Sequence, residues 1–137
     1  MIVADCTLIA HLFIHTVETE LARTVLRLDN EWAAPPLWGS EFRNLLAKYV
    51  RADRLALHAA LDTAIMAEQF MAPGVRPVSV VQVLTIAASS GCSAYDAEYV
   101  SLAVALRIPL VTSDQRLAGL FPEVAVTPGE FIGRRVP

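Results

Sequence analysis

Four acidic residues in this chain stand beside apolar neighbours, and their types and spacing suit one kind of chemistry. Asp5 follows the run "MIVA", and Asp114 follows "PLVTS". Glu41 opens "SEFRNLLAKYV", where steps of four reach Leu45 and Tyr49, with Phe42, Leu46 and Val50 alongside. Asp96 sits in "SGCSAYDAEYVSLA", and steps of three and four from it lead to Tyr99, Val100 and Ala103. Asp5 and Asp114 therefore close predicted strands. Glu41 and Asp96 fall on or beside the stripe that their predicted helices bury.

Each acid has an ordinary structural explanation. Asp96 stands three residues after Ser93, the spacing of a capping box. Asp114 can cap a helix beginning at Gln115, Glu41 can favour a helix N-terminus through the macrodipole, and Asp5 can make an Asx-type turn. Together they weigh differently. Buried carboxylates without partners are costly, and like charges sharing a site raise one another's pKa. No lysine or arginine holds an equivalent position, and the only lysine, Lys48, lies seven residues beyond Glu41 on the same predicted helix. A divalent cation is the simplest counter-charge. Hard oxygen ligands without histidine or thiolate point to Mg²⁺ or Mn²⁺ rather than Zn²⁺. Such an ion, with open water positions, generates hydroxide and stabilises a phosphate under in-line attack. Metal-assisted phosphodiester hydrolysis is the reaction class expected.

To share an ion, these acids must project from one edge of one layer. Short apolar runs alternate with amphipathic segments, which predicts an α/β fold with a mostly parallel sheet of four to five strands. Sites in such sheets lie outside the carboxyl ends of the strands. Strands are expected at "MIVA", "EWAAP", "RPVSV", "IPLVTS" and "EVAV". Helices are expected at 7–14, 18–28, 40–51, 55–70, 81–89, 94–107 and 115–120, with a last short one from Gly129. Gly91 suits a position just past a helix end. One domain spanning 1–137 is the expected organisation.

Hydrophobic residues make up 55% of the 137, and the mean hydropathy is +0.47. No uncharged apolar run approaches the ~18 residues of a membrane span, so the excess fits a sheet buried on both faces and a subunit interface. The opening "MIVADCT" lacks a basic region and meets an acid at Asp5, unlike a secretory signal. Cys6 and Cys92 make neither a disulfide framework nor a CxxC motif, so a reducing cytoplasm is the expected setting. The net charge is −3. With the four proposed ligands set aside, 11 basic residues face 10 acidic ones, a balance of +1 that is compatible with RNA.

Arg43, Lys48, Arg51 and Arg54 mark a basic edge that either contacts RNA or is an ordinary solvated face. Trp32, Trp38, Phe42 and Tyr49 have the chemistry to stack on bases, but their spacing suits core or dimer contacts better. His11 and His15 are four apart on one predicted helix, a zinc-like spacing, yet "HLFIH" lacks the glutamate of HExxH and reads as a packed pair. Cys6 has no basic partner and reads as a small core residue. No glycine-rich phosphate loop, serine nucleophile elbow or Walker lysine occurs.

In "IVADCTLIA", "WGSEFRNLLAKYV" and "CSAYDAEYVSLAVALRIPLVTSDQRL", with a short "FPEVAVTPGEF" tail, the sequence resembles a PIN domain. Within that group it is similar to the VapC-like toxin nucleases of type II toxin–antitoxin pairs. The match spans most of the chain and is weakest between Leu55 and Val83. The resemblance implies a three-layer α/β/α sandwich, an acidic site binding Mg²⁺ or Mn²⁺, and endoribonuclease activity. It maps the family's acidic positions onto Asp5, Glu41, Asp96 and Asp114, and supporting hydroxyls onto Thr7 and Thr112. Threonine at position 7 departs from the commonest first motif, Asp-x-Asn or Asp-x-Ser. The resemblance also implies a homodimer and a small antitoxin whose C-terminal segment blocks the site. A phospho-receiver would need a lysine after its last strand, and a haloacid-type phosphatase would need Asp-x-Asp where "DCT" stands. The remaining rival is a catalytically silent protein-binding module on the same fold, which has no reason to keep buried acids.

Overall fold

The structure, a computed structural model, describes residues 1–137. Four short strands, β1 (Ile2–Ala4), β2 (Trp32–Ala33), β3 (Leu110–Val111) and β4 (Ala125–Val126), form one sheet in the order β2-β1-β3-β4. Every neighbouring pair is parallel, with Val3 opposite Ala33 on one side and Leu110 on the other. Between β1 and β2 lie α1 (Cys6–Phe13) and α2 (Thr19–Leu28). Then come α3 (Leu37–Arg51), α4 (Leu57–Met71), α5 (Val80–Ser90) and α6 (Ala94–Leu106). α7 (Gln115–Leu120) joins β3 to β4, and α8 (Pro128–Arg135) follows the sheet.

Ile2, Val3 and Ala4 are each fully buried. Successive strand residues face opposite sides, so both faces of β1 are covered. α1 and α6 supply that cover, with α2, α3 and α4 gathered around α1, and α5 laid along α6. The result is a three-layer α/β/α sandwich. Its core runs from the strands out to Phe131 of α8. Trp32, Trp38 and Phe42 belong to this core, in a chain of rings with Phe13 and Phe70 whose centroids lie 5.5–6.4 Å apart. They are not exposed platforms for bases.

The expected strand at "RPVSV" does not form. Val75 makes only an isolated parallel bridge to Ala34, and the Arg76 N–H donates to the Ala34 carbonyl at 3.0 Å. Pro77 then has no N–H to continue a ladder, and Ser79 turns into the N-cap of α5 by accepting from the Gln82 N–H. Just before the bridge the backbone passes under β2 so closely that a Cβ on Gly74 would lie 1.8 Å from the Trp32 carbonyl oxygen. Only glycine fits there.

Other boundaries shift for local reasons. α3 begins at Leu37, directly after Pro36, rather than at Ser40. Glu41 therefore sits in its second turn and not at its start. α1 ends at Phe13, which leaves His15 exposed beyond the helix, so the expected His11–His15 face does not exist. His11 instead shares a 2.9 Å hydrogen bond with the Thr16 hydroxyl. Gly91 stops α5 in the left-handed region at φ +76°. No helix is long and apolar enough to cross a membrane.

Candidate acidic site at the carboxyl edge of the sheet

Parallel pairing of β1 with β3 sends the chain past the same sheet edge at Asp5 and at Thr112–Asp114. Asp5 is the N-cap of α1 and is nearly fully buried. Its Oδ1 accepts from the Thr7 hydroxyl at 2.7 Å and the Leu8 N–H at 3.0 Å, and its Oδ2 accepts from the Thr112 hydroxyl. Both threonines work across the gap between strands. Thr7 Oγ1 accepts from the Ser113 N–H at 3.3 Å, and Thr112 Oγ1 accepts from the Asp114 N–H at 3.0 Å. Asp114 caps α7, its Oδ1 accepting from the N–H groups of Arg116 and Leu117 at 2.9 and 3.1 Å.

The other two acids come from helices. Tyr99 of α6 is buried, and its hydroxyl donates to Glu41 Oε1 at 2.5 Å, joining α3 to α6. Ser93 caps α6 by accepting from the Asp96 N–H at 3.0 Å. The Asp96 carboxylate is spent elsewhere: its Oδ2 receives Arg116 Nη2 at 3.3 Å. The expectation that no arginine stands near these acids is corrected by this contact.

Electrostatics tie the four together. Burial raises the Asp5 pKa, its three hydrogen bonds pull it down, and the Asp114 charge pushes it up again. Burial raises Glu41 as well, against the Tyr99 hydrogen bond, with the charges of Asp5, Asp96 and Glu98 adding to the rise. The Cys6 thiol, buried and next to Glu41 and Asp5, is pushed up to about 12 and is inert as a nucleophile at neutral pH. Tyr99 is raised for the same reasons and stays a neutral donor.

The donor set, hard carboxylate oxygens feeling one another's charge, fits a hard divalent ion. The side chains do not close around one as they stand, since no three His, Cys, Asp or Glu groups are arranged to hold a metal. Asp96 turned to Arg116, and Glu41 turned to Tyr99, belong to that open arrangement.

Of the residues expected at the site, Asp5, Thr7, Thr112 and Asp114 form one connected hydrogen-bonded group, and Glu41 and Asp96 reach it through their charge. Arg43 does not join. Two residues past Glu41, it is turned about 200° around the helix. It pairs with Glu68 of α4 at 3.0 Å and, with Arg51, lines an apolar groove between α3 and α4. Lys48 and Arg51 are exposed and take part in none of the five ion pairs. Sequence reasoning missed Tyr99, Glu98 and Arg116. For Tyr99 a signal existed, because a tyrosine on a buried stripe must find a partner for its hydroxyl.

No protein-family model matches the sequence, and no curated protein matches it. Solved structures do. The fold is similar to that of PAE2754 from Pyrobaculum aerophilum, with a TM-score of 0.77 and 22% identity over 96% of this chain and 93% of that one. It is also similar to FitAcB from Neisseria gonorrhoeae, with a TM-score of 0.69 and 16% identity over 94% of this chain and 99% of that one. At such identities the likeness concerns architecture alone, and the architecture is a PIN-like α/β/α sandwich around a parallel sheet.

Proposed function

We propose that this protein is a one-domain, Mg²⁺- or Mn²⁺-dependent endoribonuclease, the toxin of a toxin–antitoxin pair. One observation carries the reading: the fold joins Asp5 to Asp114 through the Thr112 hydroxyl at one sheet edge and sets Glu41 and Asp96, from two helices, near enough to add their charge. A fold has little reason to hold such mutually repelling charges together unless a cation is part of its working state.

Asp5, Glu41, Asp96 and Asp114 would hold the ion or ions directly or through water. When bound, such an ion lowers the pKa of its water and offsets charge on the phosphate. Thr7 and Thr112 orient Asp5 by donating to opposite oxygens of its carboxylate. Tyr99 holds Oε1 of Glu41 and leaves Oε2 free. With Oε2 unengaged, Glu41 would be the carboxylate suited to orient the attacking water. Lys48 and Arg51, exposed and unpaired, are left to meet RNA backbone, whereas Arg43 is engaged by Glu68. Exposed apolar side chains on α4 (Leu57, Leu61, Ile65) and α5 (Val80, Val81, Leu84) support protein partners, in keeping with a homodimer and an antitoxin. The two free cysteines agree with a reducing cytoplasm.

The test is cleavage of defined structured RNAs by purified protein with and without Mg²⁺ or Mn²⁺, with Asp96→Asn alongside. Metal-dependent cleavage by the parent that the variant loses is expected. Equal cleavage by both, or cleavage indifferent to metal, removes the reading. A silent binding module would give no cleavage and no shift of its melting temperature with MnCl₂.

A further inference from the structure

Arg116 is the one cation that touches the acidic edge. Of the five ion pairs in the molecule, only Arg116–Asp96 involves any of the four acids. The contact is single, Nη2 to Oδ2 at 3.3 Å, and the Arg116 side chain is 63% exposed against 29% for that of Asp96. An arginine held at one nitrogen in solvent is loosely held. Its root, in contrast, is fixed: the Arg116 N–H donates to Asp114 Oδ1 at 2.9 Å. The side chain thus starts at one acid of the site and ends on another, with no contact that would stop it from turning. The same placement bears on the open arrangement of the carboxylates, since the oxygen of Asp96 that meets Arg116 is one that a divalent ion would compete for.

We propose that Arg116 is a resident counter-ion that holds Asp96 in the metal-free protein, yields it to a divalent ion, and then offers its guanidinium to the RNA phosphate. The proposal rests on the metal-nuclease reading above. A doubly charged ion outbids a single solvated guanidinium contact for the carboxylate. Once released, the planar fork of arginine matches two phosphate oxygens in a way a lysine cannot. The two roles have opposite signs when Arg116 is removed. Metal binding should tighten because a competitor is gone, and RNA cleavage should fall because a phosphate contact is gone. A merely structural surface pair would move neither in that combination.

The experiment titrates the full chain and Arg116→Ala with MnCl₂ by calorimetry, and measures cleavage of one RNA by both at saturating Mn²⁺. The variant should bind Mn²⁺ roughly two- to fivefold more tightly, the range an exposed ion pair covers. It should cleave about tenfold more slowly. Arg116→Gln, which keeps length without charge, should repeat both results and so excludes a folding artefact. In an Asp96→Asn background, removing Arg116 should leave Mn²⁺ affinity unchanged. Unchanged or weaker Mn²⁺ binding by the variants overturns the counter-ion role while a cleaving parent keeps the nuclease reading. Tighter binding with undiminished cleavage overturns the phosphate role. A parent that binds no Mn²⁺ ends both this proposal and the reading beneath it.

Discussion

Asp5 receives three donors, one from its own turn and two from threonines that bridge β1 and β3, whereas Asp96 has a single half-solvated guanidinium 3.3 Å away. The same contrast divides the rest of the acidic edge. Asp114 is fixed by backbone N–H groups two and three residues along, while Glu41 depends on one hydroxyl from a tyrosine 58 residues away. The strand-end half is built from backbone and short side chains that have few rotamers to lose. The helix half is held by single side-chain contacts, one of them through an exposed arginine. The difference teaches where a site of this design is rigid and where it adapts: the strand ends would set the position of the proposed ion, and the helices would close on it.

Breaking the rigid half should have the largest effect. Asp5→Asn should reduce metal-dependent RNA cleavage by more than the ~100-fold that outer contacts usually reach, as read from single-turnover rates. Thr112→Val should come next, losing about 10- to 100-fold in rate and ~1–3 kcal/mol in a urea melt, because a buried carboxylate loses a donor. Thr112→Ser should recover most of both. If Thr112→Val proves silent, the strand-end group is not what orients Asp5.

The adaptable half should respond more gently. Tyr99→Phe should cost about 1 kcal/mol of stability, the worth of one hydrogen bond. Since that bond lowers the Glu41 pKa, its loss should move the acid limb of the rate–pH profile upward, which a change of packing alone would not do. In the stability of the metal-free protein Glu41→Gln should be the smallest change, and its sign is instructive. Burial, with the charges of Asp5 and Asp96, raises the folded pKa of Glu41 above its ordinary value. The folded state then holds the proton longer than the unfolded one, so metal-free stability falls as pH rises from the ordinary value through the raised one. Glu41→Gln should remove that slope and raise metal-free stability at neutral pH by ~0.5 kcal/mol, discounted because the group is partly solvated. A melt series from pH 4 to 8 reads it.

The same division governs what the chain discloses before it is folded. Asp5 and Asp114 end apolar runs and precede amphipathic ones, and a strand terminus or helix cap reads out over three or four residues. The bounds expected for α7 match the observed ones for this reason, and those for α6 match to within one residue. Local composition misled at Arg76–Val80, where β-branched valines suggest a strand but a proline and a capping serine decide otherwise. It misled again at α3, where the helix starts three residues before Ser40 and Glu41 takes a position deeper along its axis. Arg116 was out of reach altogether. Its place beside Asp114 is visible in "SDQR", but the direction of a long exposed side chain depends on how α6 and α7 meet.

The Thr112 hydroxyl meets Asp5 across 107 residues of chain. A ribosome making this protein thus releases the first and second acids long before the partner that sets the first one in place, and β3 must pair with β1 before the edge exists. For a molecule whose proposed target is RNA, this order of assembly would keep the unfinished chain harmless to the machinery synthesising it. An in vitro translation stalled ahead of Leu110 should accumulate product without degrading its own message, whereas completed chains supplied with Mn²⁺ should not be so benign.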